Sequence, residues 1–357
     1  MFGDRHYVPI LKDKQGERLA LRRLPAGTKA RFTPLFDVVR DFDGLTDLPD
    51  DLLRDWGANP AFVDLGGQPD SPMPDGRHPV RFVFEEARSL GLNLIPVVGL
   101  GSSQAFLDAA RIVMANDGRG VCIRLTVEDR APVQQLTARL ADLRRVLGYN
   151  PETGERDHAL SESQVDLVVD LGVVAPMDVG MIAAVAEGML RSCPTPSAWR
   201  TLTLVSGAFP ESRRGIPSNG QTDVPRKDWL AWREVCRTYD GRIPTFGDYG
   251  AVHPIELDLD FSQIAPAGNI RYTVPGAWLV VKGTILRDNG YDQYRSLSAR
   301  VVRDARYRGP AFSPGDQYIW DCAHGTGGTG SLMTWIQVAT SHHLTFVVEE
   351  LASLPAP

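Results

Sequence analysis

The sequence has few cysteines and no motif that pairs them. Only four occur in 357 residues: Cys122, Cys193, Cys236 and Cys322. No two stand in a Cys-x-x-Cys arrangement, so the spacing fits neither a zinc site nor a redox motif, and four are too few for a disulfide framework in so long a chain. We interpret them as reduced and mostly buried thiols of a cytoplasmic protein.

The sequence also lacks a membrane-spanning segment and a basic excess, which restricts the kinds of partner that we expect. No window approaches the roughly 20 apolar residues of a membrane-spanning helix, and the polar start Met1–His6 leads straight into a strand, which is not typical of a secretory signal. The formal net charge of −6 lacks the basic excess of a nucleic-acid-binding surface. We therefore expect a soluble cytoplasmic protein with no membrane partner, and the net charge does not indicate nucleic acid.

A short apolar strand, a polar residue at its carboxyl end, a loop and usually a helix recur along the chain. This repeated unit predicts a closed β/α barrel, whose active site lies where the strands end. The predicted strands are Tyr7–Lys12, Thr33–Val39, Pro60–Leu65, Leu92–Val98, Gly120–Thr126, Val165–Gly172, Thr201–Gly207 and Thr245–Tyr249. The predicted helices are Arg18–Leu24, Pro49–Trp56, Val80–Leu90, Gln104–Ala115, Val133–Leu147, Met177–Arg191, Trp229–Tyr239, Tyr291–Arg306 and Ser331–Leu351.

The chain continues well beyond a minimal barrel. Ile270–Val274 and Trp278–Lys282 predict an antiparallel pair, although Trp278–Lys282 is also a candidate for the closing barrel strand in place of Thr245–Tyr249. Gly148–His158 predicts a surface insertion, and Ala208–Pro225, which carries Glu211, Arg213 and Arg214, predicts a long loop at the mouth. We predict one α/β domain over residues 1–357, with a TIM-like (β/α)8 core in 1–250 and an elaboration in 251–357 that adds a hairpin and helices.

Polar side chains at the predicted strand ends are the main candidates for a site. They are Lys12, Asp37, Asp64, Arg124, Asp170, Ser206 and Asp248. A charge inside an apolar strand is costly unless it is paired. In one interpretation the carboxylates act as acid and base or hold a divalent cation, while Lys12 and Arg124 bind an anionic substrate. In the other, Asp37, Asp64 and Asp170 form structural ion pairs with Lys12 or Arg124, or accept hydrogen bonds from backbone amides of the loops. Lys282, which ends a later predicted strand, is a further ligand-binding candidate.

Three more candidates lie in loops and at a helix start. Lys14 and Glu17 follow the first strand, where lysine side chains can contact phosphate as point charges. The alternative is a solvated turn, with Glu17 in the first turn of the following helix, where a negative charge is favourable. His253 lies in a glycine-flanked loop and is a catalytic candidate because imidazole transfers protons near neutral pH, or it is a structural histidine. The run Gly325–Gly330 lacks the Gly-Lys-Ser/Thr ending of a phosphate-binding loop, so we interpret it as a connection.

Several phrases together resemble one known family. They are Tyr7–Lys12 with Lys14–Glu17, Thr33–Asp37, Arg226–Trp229, Gly247–Tyr249 and the adjacent pair His342 and His343. In these phrases the chain resembles the phage-type beta protein family, named for a protein of a T-even phage. The resemblance spans nearly the whole chain and implies a single full-length unit with a role in phage–host conflict. It carries over no catalytic residue. Adjacent helical side chains point about 100° apart and cannot readily share a metal ion, so we interpret the two histidines as packing or surface residues.

Two hypotheses of function follow. The first is a phage-related protein of antiphage defence or counter-defence, which binds a protein partner or an anionic small molecule at the barrel mouth. The second is a metal-assisted hydrolase of a phosphate ester or nucleotide-type substrate. In that enzyme Asp37, Asp64, Asp170 or Asp248 holds the divalent cation, while Lys12 and Arg124 neutralise developing charge. An enzyme should bring these groups within hydrogen-bond reach of one another.

Overall fold

The computed structural model describes residues 2, 3, 5–148, 159–255 and 266–355. Eight parallel strands are hydrogen-bonded in chain order into one sheet. Tyr7 closes the sheet, because it forms parallel bridges to Phe32 and Phe246, and the amide of Val8 donates to the Phe246 carbonyl (3.0 Å). The predicted β/α barrel is confirmed. The predicted insertion at Gly148–His158 lies outside the described residues from position 149 onward.

Strands that are apolar on both faces line the barrel, as expected for a parallel sheet covered by helices. The barrel strands are β1 (Ile10–Lys12), β2 (Leu35–Asp37), β3 (Ala61–Asp64), β4 (Leu94–Val98), β5 (Val121–Thr126), β6 (Val165–Val173), β7 (Thr201–Gly207) and β9 (Thr245–Asp248). The helices are α1 (Gln15–Arg23), α2 (Ala26–Lys29), α3 (Leu48–Asp55), α4 (Pro79–Ser89), α5 (Gln104–Asp117), α6 (Val133–Leu147), α7 (Val179–Ser192), α8 (Lys227–Thr238), α9 (Leu286–Asn289), α10 (Gln293–Arg303), α11 (Pro314–His324) and α12 (Leu332–Ser353).

A second, antiparallel sheet stands beside the barrel. It contains β8 (Gln221–Pro225), β10 (Ala267–Val274) and β11 (Ala277–Ile285) in the order β10-β11-β8. The predicted hairpin is confirmed, and Thr245–Asp248 rather than Trp278–Lys282 closes the barrel. The prediction of loop up to Pro225 was wrong, because Gln221–Pro225 pairs with β11. This edge strand is polar and largely exposed, so it lacks the apolar alternation by which strands are recognised.

Helix α11 was not among the predicted helices. Its start, Ser313-Pro314-Gly315, has the composition of a turn, yet Ser313 caps the helix by accepting from the Asp316 amide, and proline is favourable in the first helical turn. The helix ends at Gly325, whose φ of 75° is the left-handed conformation that glycine adopts readily. Gly325–Gly330 therefore connects two helices, as predicted.

The last helix joins the barrel to the second sheet. Leu344 and Val347 of α12 pack into the barrel-side core, whereas Trp335 and Val338 belong to the apolar cluster under the second sheet. A helix that is apolar almost all round is expected to be buried from both sides. In the described part of the chain, no helix is long and apolar enough to cross a membrane. The connection from β7 to β8 starts at the carboxyl ends of the barrel strands, so the second sheet borders the mouth.

Candidate functional site

Arg124 lies at the barrel mouth with its guanidinium between two carboxylates. It donates from Nη1 to Asp64 Oδ2 (2.8 Å), and from Nη2 and Nε to Asp170 Oδ2 (2.6 and 3.0 Å). Tyr249, which follows β9, accepts from Arg124 Nη2 (2.9 Å) and donates to Asp170 Oδ2 (2.6 Å). Three of the residues predicted at strand ends are therefore within hydrogen-bond reach of one another.

Backbone amides complete this network. Asp64 Oδ1 accepts from the Gly66 amide (2.9 Å), and Asp170 Oδ1 accepts from the Gly172 amide (2.8 Å). Each carboxylate is thus held by its own loop as well as by the guanidinium. Such second contacts keep a charged side chain in one orientation without help from a ligand.

Electrostatics fix the protonation states of this network. Burial alone would lower the pKa of Arg124, but the charges of Asp170 and Asp64 outweigh it and raise the pKa. Burial and the adjacent Asp170 charge hold the pKa of the Tyr249 phenol well above its usual range. At neutral pH the guanidinium is therefore charged and the phenol is protonated, as their hydrogen bonds to Asp170 require.

A cleft of about 440 Å³ opens beside Arg124. Its wall includes Asp37, Arg124, Asp170 and Tyr249, together with Glu128 from the loop after β5. Burial raises the pKa of Asp37; Arg124 opposes the rise and Asp64 adds to it. The cleft thus has a carboxylate wall that can accept hydrogen bonds from hydroxyl or amino groups of a ligand.

The described residues do not fit a divalent cation at this position. Arg124 lies between Asp64 and Asp170, where a shared cation would have to bind, and its guanidinium already supplies the positive charge. Across the described ranges, no group of three or more His, Cys, Asp or Glu side chains is arranged to hold a metal ion. The arrangement fits an arginine held in place by two carboxylates better than a cation-binding site.

Lys12 connects this cleft to a second group of charges. Its positive charge opposes the raised pKa values of both Asp37 and Glu17, so it lies within electrostatic range of both. Glu17, in the first turn of α1, is only 5% exposed, and its Oε2 atom is buried without a hydrogen-bond partner among the described residues. Burial raises the pKa of Glu17 to about 7 against the opposing charges of Lys14, Arg271 and Lys12. This carboxyl group therefore exchanges its proton near neutral pH.

Two arginines outside the set of sequence candidates complete the basic side of the mouth. Arg271 on β10 donates from Nη1 to the Ala251 carbonyl (2.8 Å) and from Nε to Asn269 Oδ1 (3.3 Å), with its guanidinium 5.0 Å from the centre of the Phe209 ring. Burial and the nearby charge of Arg213 lower the pKa of Arg271 to about 9. Within the described residues, neither arginine forms an ion pair with a carboxylate.

The rule that found Arg124 could have found Arg271. Arg271 is a charged residue within the largely apolar run Ile270–Val274. Asp37 and Asp64 are charged residues within largely apolar strands in the same way. Apart from Lys282, the strand candidates come from the predicted barrel, and Ile270–Val274 lies outside it. Arg213 carries no such signal, because it lies in the connection between β7 and β8.

Two predicted candidates support the loops of the mouth. Lys282 on β11 donates from Nζ to the carbonyls of Arg213 (3.0 Å) and Ile216 (2.7 Å), and so holds the connection between β7 and β8. His253 Nδ1 contacts the carbonyl oxygen of Phe209 (3.0 Å) in the same connection. The structure thus places both side chains against loop backbone.

Asp248 lies in a separate buried cluster. Its Oδ1 accepts from the Tyr7 hydroxyl, its Oδ2 contacts His343 Nε2 (2.9 Å), and His343 Nδ1 contacts Thr273 Oγ1 (2.8 Å) on β10. Burial opposes ionisation, but His343 outweighs it and lowers the pKa of Asp248. Ser206 is buried next to Asp248 in the register of β7 and β9. This cluster joins the barrel through α12 to the second sheet.

His342 forms an equivalent contact on the other side of α12. Its Nδ1 contacts Asp316 Oδ2 (2.9 Å) and its Nε2 contacts the Thr273 carbonyl oxygen (2.8 Å); Asp316 also accepts from the Tyr272 hydroxyl (2.8 Å). Both histidines are fully buried. The sequence signal for these contacts is that two polar residues interrupt an apolar helix. A buried imidazole needs hydrogen-bond partners, but the partners are distant in sequence, so the helix alone does not identify them.

Comparisons with known proteins concern the fold and the family. Among solved structures, triosephosphate isomerase from Bartonella henselae is similar at 13% sequence identity, with 68% of this chain and 90% of that chain covered and a TM-score of 0.35. No curated protein matches the chain in sequence. The family model described as Beta protein matches residues 7–349, nearly the whole chain. The chain therefore belongs to the Beta protein family.

Proposed function

We propose that the protein binds an anionic small molecule at the mouth of its barrel. The observation that carries this proposal is the separation of charge across the mouth. On one side, three carboxylates (Asp37, Asp64 and Asp170) surround the single guanidinium of Arg124. On the other side, three cations lie within electrostatic range of one titrating carboxyl group; they are Lys12, Lys14 and Arg271 around Glu17. Arg213 lies within electrostatic range of Arg271.

This distribution suits a ligand with two different ends. Carboxylates accept hydrogen bonds from hydroxyl or amino groups, whereas clustered lysines and arginines bind phosphate or carboxylate groups. The cleft volume of about 440 Å³ lies within the usual range of small-molecule sites. Because Arg124 is already held by Asp64, Asp170 and Tyr249, this side of the site needs little ordering when a ligand binds.

The biological setting that we propose is phage–host conflict, either antiphage defence or counter-defence, and membership of the Beta protein family supports it. The test is the plating efficiency of a phage panel on cells that express the wild type or Lys12→Met. We expect the wild type to change plating of at least one phage and Lys12→Met to lose that effect. Equal plating with both proteins and with an empty vector would contradict the setting. Co-purification from infected cells would reveal a protein partner.

A second candidate function is hydrolysis of a phosphate ester, and the titration of Glu17 near pH 7 favours it. The Glu17 carboxylate would remove a proton from water as the oxygen attacks phosphorus; the ester P–O bond breaks and the alcohol leaves with a proton from solvent. Nearby cations would stabilise the charge on the phosphoryl oxygens. Phosphate release from sugar phosphates should then fall at least a hundredfold in Glu17→Gln. Equal release by the variant would count against hydrolysis through Glu17.

The direct test of binding is thermal unfolding with a panel of nucleotides, sugar phosphates and matching unphosphorylated sugars. A compound that binds only the native state must raise the unfolding midpoint. We expect phosphorylated compounds to raise it in the wild type and in Arg145→Met, whose exposed arginine pairs with Asp142 far from the mouth on α6. Lys12→Met should respond weakly. If no compound shifts the wild type, or if both variants respond alike, the mouth is not the binding site.

A further inference from the structure

We propose that Arg213 and Arg271 together bind the phosphate group of the ligand, which assigns phosphorylated small molecules as the ligand class of the mouth. The inference rests on the proposed function and adds the group that is recognised and the residues that recognise it. Both arginines come from outside the barrel: Arg271 from β10, and Arg213 from the connection that leads into β8. The second sheet would thus supply the phosphate-binding part of the site.

Arg271 is held in an orientation that leaves one edge of its guanidinium available. Nη1 and Nε donate to Ala251 and Asn269, and the Phe209 ring lies against the guanidinium. In the described part of the chain, no acceptor contacts Nη2. A planar guanidinium fixed by its own hydrogen bonds and an aromatic ring is well suited to paired hydrogen bonds with phosphate oxygens.

Arg213 is positioned through its backbone. Its carbonyl accepts from Lys282 Nζ (3.0 Å) and from the Ile216 amide (3.1 Å), which fixes the loop at the point where the side chain leaves it. The charge of Arg213 disfavours the charged form of Arg271, whereas the charge of Glu17 favours it. Among the described residues, no carboxylate forms an ion pair with either arginine. Two like charges held together in a partly buried site destabilise the protein. An anion bound by both guanidinium groups would relieve that repulsion.

A separate observation on Glu17 also favours a ligand at this position. Its Oε2 atom is buried and, in the described ranges of the chain, has no hydrogen-bond partner; the side chain lies within electrostatic range of Arg271. A buried polar atom left without a partner is costly. When protonated, the Glu17 carboxyl group can donate to an anion, and the negative charge of that anion favours the protonated form. Phosphate binding should therefore be coupled to proton uptake near pH 7.

The test is isothermal titration calorimetry of the full-length protein with inorganic phosphate as the probe. We expect at least about a tenfold loss of affinity in Arg213→Met, from the loss of charge-assisted hydrogen bonds. Arg271→Lys, which keeps the charge but not the planar fork, should also weaken binding. The control Arg287→Met removes an exposed arginine of α9, which pairs with Asp288, and should bind as the wild type does. Wild-type affinity in both Arg213→Met and Arg271→Lys would overturn the inference.

Two further readouts separate binding from folding and this inference from the proposed function. Without phosphate, Arg213→Met should unfold at the wild-type midpoint or above it, because a repulsion is removed; a lower midpoint would mean a structural role. In buffers of different ionisation enthalpy, wild-type titrations at pH 7 should show more proton uptake than those of Glu17→Gln; the difference reports Glu17, because inorganic phosphate exchanges a proton of its own at this pH. If Lys12→Met loses phosphate binding but both arginine variants retain it, this inference fails and the proposed function stands. If the wild type binds neither phosphate nor any panel compound, both fail.

Discussion

Replacing Arg124 with methionine tests whether the carboxylates of the mouth depend on one guanidinium. The substitution leaves Asp170, which is 2% exposed, and Asp64, which is 14% exposed, without their shared counter-ion. Removing one partner of a buried ion pair typically costs about 3–5 kcal/mol. Because the Arg124 side chain is 17% exposed, water can partly replace it, so we expect a loss of about 3 kcal/mol in the free energy of unfolding.

The assay is urea unfolding at pH 7, followed by circular dichroism, of the wild type, Arg124→Met, Asp170→Asn and the double variant. If the loss comes from an uncompensated charge on Asp170, the double variant should be more stable than Arg124→Met. Arg145→Met, which loses an exposed ion pair, should change stability by less than about 1 kcal/mol. A loss below about 1 kcal/mol in Arg124→Met, or a double variant less stable than Arg124→Met, would refute this reasoning.

Three other substitutions test separate parts of the structure. The pKa of Glu17 is raised to about 7 in the folded protein from 4.5, so its stabilising contribution is complete below pH 4.5 and is lost as pH rises through 7. Glu17→Gln should remove this dependence, worth about 3 kcal/mol, from unfolding free energies measured between pH 4.5 and 8.5; an unchanged profile would contradict the assignment. Tyr249→Phe removes the hydrogen bond donated to Asp170 and the one accepted from Arg124 and should cost about 1–2 kcal/mol in urea unfolding; a neutral effect would argue against these bonds. Gly247→Ala would place a Cβ 2.6 Å from the Val8 carbonyl at the seam of the barrel and should cost about 1–3 kcal/mol in the same assay, whereas unchanged stability would mean that the seam shifts freely.

The barrel could be predicted from sequence because each strand ends in a loop of different composition. Buried parallel strands are short apolar runs, and the helices between them show helical periodicity, so even the bounds of Val133–Leu147 match α6. Gln221–Pro225 could not be found in this way. It is a strand only because β11 offers it a free edge, and that edge is created by a hairpin some fifty residues later in the chain.

The site was predictable to the extent that strand ends determine it. Asp64, Arg124 and Asp170 converge because the carboxyl ends of parallel strands meet at one rim. Asp248 also ends a barrel strand, but its carboxylate contacts a histidine of α12 instead. Which partner such a carboxylate contacts depends on the helix that covers it. The pattern of a single strand does not contain that information.

The most direct test of the central claim is a crystal structure of the protein soaked with tungstate, a phosphate analogue located by its anomalous scattering. Our account predicts a dominant anomalous peak at the barrel mouth, within hydrogen-bond distance of Arg213 and Arg271, and its loss in Arg213→Met. Peaks found only on the outer helices, or no peak at the mouth in the wild type, would contradict the claim that this protein binds an anion there.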